Sequence, residues 1–241
     1  MSAPHFVCGM SQSDFHQNTA GFILSGLEEG VRRVGRASLF LSGGSTPGPA
    51  YKKLSGTSFD WHKTNIGLVD ERWVDENDKG SNAALIRRTL LQDAAKAANF
   101  TPMKTAHETP QFGQKTAQDN YRVLFEVPSI AVLGMGTDGH VCSWFSEAVG
   151  LGQAVNPDNS ALMQAITAKP TQVTGTYLDR MTLTLSALER CDKILLLISG
   201  PEKKWVLEAA MQSNGKVLPV SYLLNMTGNK PKNPLTILHA A

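Results

Sequence analysis

The sequence predicts an α/β fold: a single domain over residues 1–241, with a mostly parallel sheet covered by helices on both faces. Three observations predict it. Continuous apolar runs such as ASLFL, SIAVLG and KILLLIS read as strands buried on both sides, the mark of a parallel sheet. These runs alternate with segments of helical period, as in strand–helix–strand units. Several of them end in glycine-rich or charged clusters, and the carboxyl ends of such strands are where open α/β sheets bind ligands.

Residues 14–34 place Phe15, Phe22, Ile23, Leu27, Val31 and Val34 mainly three and four positions apart, which predicts an amphipathic helix capped by Ser11 or Ser13. ASLFLSGG (37–44) is a buried strand ending in glycine, and a helix starts within 48–54. TNIGLVDE (64–71) is a second strand, followed by a helix over 81–94 with Ser81 or Asn82 as its cap. Residues 99–112 hold two prolines and no period, so they are loop. Helix resumes through 113–124 before the strand SIAVLG. MTLTL (181–185) and KILLLIS (193–199) are strands, and PEKKWVLEAAM (201–211) is a helix with Pro201 in its first turn.

Hydrophobic content of 41% and charged content of 18% describe a soluble globule with a proper core. Formal net charge is only +2, with no basic run longer than a pair. Neither nucleic acid nor a membrane surface is expected as a partner. The longest aliphatic run, ILLLI, is far too short to span a bilayer. Three cysteines form no CxxC and leave one unpaired in any scheme, which suits a reducing compartment. MSAPHFVCGM has no charged leader and no long apolar stretch, so the expected location is the cytoplasm.

Four polar clusters fall at predicted strand ends. SGGSTP (42–47) offers backbone N–H groups and hydroxyls just before a helix, which suits a phosphate. It lacks the G-K-[ST] ending of a Walker loop. In VDERWV (69–74), Arg72 suits a phosphate or carboxylate through its planar fork. Asp70 and Glu71 either transfer protons or hold Arg72 in place. In SGPEKK (199–204), one of Lys203 and Lys204 points at the crevice and the other at solvent.

The fourth cluster, GMGTDGH (134–140), fits the dinucleotide pattern G-x-G-x-x-G. Its context does not. No helix-forming stretch follows Gly139, and no strand leads to Asp158, the acidic residue near the required distance. The loop instead presents Asp138 and His140 from a strand end. Histidine, with an unperturbed pKa of about 6.5, suits general-base work. His5, His16, His62, His107 and His239 are expected to be structural. No pair has zinc-ligand spacing, so no metal is expected.

Five blocks in order, LSGGSTP, VDERWV with the following SN, GMGTDGHVCSWF, RMTLTL and GPEK, resemble the 6-phosphogluconolactonase family. That family belongs to the superfamily shared with glucosamine-6-phosphate deaminase, an isomerase-type relative. The resemblance covers roughly residues 37–210 and implies a Rossmann-like sheet without a cofactor. It implies hydrolysis of 6-phosphoglucono-1,5-lactone in the oxidative branch of the pentose phosphate pathway. By motif position, Gly43, Gly44, Ser45 and Thr46 line the phosphate site with Arg72 and Lys203, and His140 is the general base. Asp138 is a candidate to orient the imidazole, although two-residue spacing alone establishes no contact. Asp70 and Arg180 are counted with the substrate-binding set. A monomer or small homo-oligomer is expected.

Two departures stand out. Ser146 replaces the proline of the family's S-x-F-P, and the chain ends KPKNPLTILHAA instead of carrying W-x-x-D. Two other readings are a deaminase-like isomerase and a non-catalytic sugar-phosphate-binding module. The deaminase loop carries a glutamate where this chain has Phe145, and residues 1–36 do not resemble a DNA-binding output module.

Overall fold

The computed structural model describes residues 4–212, 218–226 and 235–241. In chain order the elements are β1 (His5–Met10), α1 (Gln12–Val34), β2 (Ala37–Leu41), α2 (Gly48–Ser55), β3 (Thr64–Leu68), β4 (Asp70–Arg72), α3 (Asn82–Thr89) and β5 (Asn99–Phe100). There follow α4 (Pro110–Tyr121), β6 (Ser129–Gly134), α5 (Leu151–Ala154), β7 (Met163–Thr167), β8 (Asp179–Leu183), α6 (Leu185–Leu188), β9 (Lys193–Ser199), α7 (Pro201–Met211), α8 (Pro219–Leu224) and β10 (Leu235–Ala240). Ser11 caps α1 by accepting from the Asp14 amide, and left-handed Gly35 ends it.

Seven strands form a parallel sheet in the order β1-β10-β9-β6-β2-β3-β5. Helices cover both faces. Ala37 of β2 lies under Gly30 of α1. Phe40, three residues on and so on the other face, stacks with Tyr121 of α4 and with Phe125. All five β2 side chains are buried, as a central strand requires. From β2 the chain builds outward to β3 and β5 on one side, then returns to lay β6 on the other. The switch point of the sheet therefore lies between the carboxyl ends of β2 and β6, where an open α/β sheet forms its ligand crevice.

Two expected strands sit differently. TNIGLVDE is divided at Val69: residues 64–68 stay in the main sheet, while Asp70–Arg72 turn into a second, three-stranded antiparallel sheet of order β4-β8-β7. The strand expected at 181–185 spans Asp179–Leu183 and is the middle of that second sheet. Apolar content marks both as buried but carries no information about which sheet buries them.

Other bounds shift for local reasons. The helix expected to reach residue 94 stops at Thr89. Gln92 is extended and Asp93 has φ of 42°, and a short 3₁₀ turn follows. α4 starts at Pro110, inside the expected loop, because Thr109 caps it and proline suits the first turn. The same loop contains the two-residue β5. β1, β7, β10, α5, α6 and α8 are elements beyond those expected. The departure in the carboxyl-terminal sequence falls partly on residues 230–234, outside the described residues. Leu235–Ala240 nonetheless form β10, between β1 and β9. Among the described residues no helix is long and apolar enough to cross a membrane.

Candidate active site

At the switch point lies a cavity of about 220 Å³. The loop after β2 lines it with Gly43, Gly44, Ser45 and Thr46, and the β6 loop with His140. β4 contributes Asp70 and Arg72, β8 contributes Arg180, and the first turn of α7 contributes Lys203. Nine of the ten residues assigned to the site from the sequence thus line one cavity. The tenth, Asp138, stands behind His140.

The β6 loop is built to hold a histidine. After Gly134 the chain makes a tight turn closed by Gly139 N–H donating to Gly136 O, and Met135 bridges back to Val141. No helix follows Gly139, so the loop cannot cradle a pyrophosphate on a helix end in the dinucleotide manner. His140 Nδ1 lies 2.5 Å from Asp138 Oδ1, the contact that the two-residue spacing left open. Burial opposes charge on Asp138, but the hydrogen bond and charge of His140 outweigh it and hold its carboxyl below the usual range. In a neutral imidazole with that carboxylate accepting, the proton is on Nδ1 and the lone pair on Nε2. Gly136 allows the arrangement, because a Cβ there would overlap the imidazole and crowd the Asp138 carboxylate.

The cations are set by the second sheet. Arg72 and Arg180 face each other across the β4–β8 ladder. Like charges directly opposite are unfavourable, so this pair needs negative charge nearby. Asp70 supplies part of it, with Arg180 Nη1 3.9 Å from Oδ2. Asp70 also accepts from Ser143 Oγ at 2.6 Å. Arg180 is buried and donates to the carbonyls of Tyr177 and Thr174. Burial lowers its pKa to about 10, with Asp70 opposing and Arg72 reinforcing the shift, so it stays charged at neutral pH. Arg72 Nη1 donates to Gly80 O, while its buried Nε has no partner among the described residues. Burial also lowers the Lys203 ammonium, and Glu202 and Asp138 pull it partly back. Lys204 is not among the lining residues and pairs with Glu208.

Asn82 and Ser42 also line the cavity, and the sequence reading gave neither a role there. Asn82 Nδ2 donates to the Asp70 carbonyl at 2.9 Å, and its side chain packs where a Cβ on Gly43 would be. That contact requires glycine at 43 and locks the β2 loop to α3. The only sequence signal was the SN pair ten residues after Asp70 and Glu71. Ser81 takes the capping role, which leaves Asn82 for the site. Ser42 Oγ lines the same cavity, buried and without a partner among the described residues.

Glu71 braces the backbone beside the site and does not line the cavity. Its carboxyl accepts from the amides of Arg72, Asn82 and Ala83 and from Ser81 Oγ. It thereby caps α3 and fixes the backbone at Arg72. Burial raises its pKa from 4.5 to about 7, the backbone donors limiting the rise. A carboxyl raised in the folded state gives stability that is full below the unfolded pKa and is lost as pH rises to the folded value. Thermal midpoints should therefore fall between pH 4.5 and about 7, and Glu71→Gln should flatten that slope. An equal slope in both proteins would refute this account of Glu71.

The crevice, with two arginines and a lysine on its wall, lies at the switch point, where open α/β sheets bind their ligands. The chain belongs to the family of glucosamine-6-phosphate isomerases and 6-phosphogluconolactonases, whose model matches residues 10–230. It is 41% identical over 182 residues to the 6-phosphogluconolactonase of Xylella fastidiosa, covering 75% of this chain and 74% of that one. It is 35% identical over 215 residues to the 6-phosphogluconolactonase of Rhizobium meliloti, covering 89% of each. The crystal structure of a 6-phosphogluconolactonase from Shewanella baltica superposes with a TM-score of 0.88 at 33% identity, covering 100% of this chain and 99% of that one.

Proposed function

We propose that this protein hydrolyses 6-phospho-D-glucono-1,5-lactone to 6-phospho-D-gluconate, with His140 as the general base. The observation that carries the reading is a histidine oriented by a carboxylate on the wall of a cavity that three cations also line. Arg72, Lys203 and the SGGST loop take the 6-phosphate, which sets the lactone carbonyl toward His140. Nε2 removes a proton from water as its oxygen adds to the carbonyl carbon. Loop N–H groups or a nearby cation stabilise the resulting oxyanion. Collapse of the tetrahedral adduct expels the ring oxygen, which takes up a proton to become the C5 hydroxyl. A positioned base contributes ~10²–10⁴-fold, sufficient for an activated ester.

The deaminase reading lacks its acid. Phe145 stands at the position of the deaminase glutamate, and Glu147 pairs with Lys169 on the rim of a different cavity. The test is a comparison of substrates. Purified protein should accelerate acid release from fresh 6-phosphogluconolactone, unaffected by chelator, and release no ammonia from glucosamine 6-phosphate. Ammonia release, or lactonase activity lost to chelator and restored by a divalent ion, would reverse the assignment.

A further inference from the structure

We propose that Phe145 is a positioning residue for His140, acting through the face of its ring; this rests on the reading of His140 as the base. The Phe145 and His140 rings have centroids 4.4 Å apart and planes inclined by 37°. Arg180 Cζ lies 4.8 Å from the Phe145 centroid, over the ring. One buried aromatic side chain therefore touches both the base and a cation of the cavity wall. The two residues before it are pinned. Ser143 donates to Asp70 Oδ2 and Thr182 Oγ1, and Trp144 Nε1 donates to Leu183 O. The ring is thus anchored to the second sheet, while the histidine it touches belongs to the loop of the first.

A single hydrogen bond from Nδ1 to Asp138 leaves the imidazole able to swing about that contact. Asp138 is itself partly exposed, with 38% of its side-chain surface accessible, so it is a compliant tether. The Phe145 face on one side and the Gly136 backbone on another remove the swing and fix where Nε2 points. The electron-rich face also suits the imidazolium formed once His140 has taken its proton. Because a 1 Å misplacement can cost ~10²-fold, a ring that fixes the base matters to kcat without touching substrate.

The test uses Phe145→Leu, which keeps apolar bulk and loses the flat face, and Phe145→Tyr, which keeps the face. Phe145 also lines a larger cavity of about 620 Å³, and thermal midpoints check that the added hydroxyl is accommodated. Phe145→Leu should lower kcat about tenfold with KM within about twofold, and Phe145→Tyr should retain activity within about threefold. In a His140→Ala background, Phe145→Leu should cause no further loss, because the group it positions is gone. Thermal midpoints check folding, and Phe145→Met replaces the leucine variant if that one does not fold. An unchanged kcat in Phe145→Leu, or an equal loss in the His140→Ala background, overturns the proposal. A His140→Ala protein that keeps its activity overturns the base assignment instead, and the positioning role falls with it.

Discussion

Replacing His140 with alanine or asparagine should lower kcat on 6-phosphogluconolactone by ~10²-fold or more while leaving affinity for the product nearly unchanged. His140 lines the same cavity as Arg72 and Lys203 but is joined within the protein to Asp138, not to either of them. Removing the imidazole therefore takes away a proton acceptor needed when water attacks and leaves the ground-state anchors in place. Alanine also opens space against Phe145 and Gly136. Asparagine fills part of that space and still hydrogen-bonds, but it cannot accept a proton at neutral pH. Agreement between the two variants would separate lost basicity from lost packing. A folded His140→Ala protein that keeps most of its kcat would show that another group is the base.

Much of this site was legible because its clusters follow strands. A buried strand must end at a sheet edge, and a parallel sheet puts all such ends together, so SGGSTP, DER, GMGTDGH and GPEKK could be assembled without coordinates. The second sheet was not legible. Val69 turns the chain out of the main sheet, and nothing in the apolar run from Ile66 to Val69 announces it. Without β4 and β8 in register, the confrontation of Arg72 with Arg180 could not be foreseen. Asn82 was missed for a related reason. Ser81 and Asn82 are both good helix caps, and only the packing against Gly43 decides which one caps and which one faces the cavity. Phe145 was read as the absence of a glutamate, because ring-to-ring contact is a tertiary property that residue type alone does not disclose.

The other large effect is expected at the cations. Arg72→Ala and Lys203→Ala should each weaken sugar-phosphate binding by about 2–3 kcal/mol, the range for hydrogen bonds to charged groups. Each residue has local features that suit an incoming anion. Arg72 is held by Gly80 O through Nη1 alone, and its buried Nε lacks a partner among the described residues. Facing Arg180 across the ladder, it sits at a cost that an incoming phosphate relieves. Lys203 is partly buried in the first turn of α7, where its ammonium is held below its usual pKa by desolvation. A dianion entering between them regains for both side chains some of the interaction that burial took from water. Binding energy from the phosphate also holds the lactone in place for attack, so kcat should fall as KM rises. Glucono-1,5-lactone, which has no phosphate, separates the two roles. The unsubstituted protein should turn it over poorly, and both variants should be little worse than that protein on it. Were either variant to lose activity equally on both lactones, that residue would act on the reacting carbonyl or on folding, and its assignment to the phosphate would have to be withdrawn.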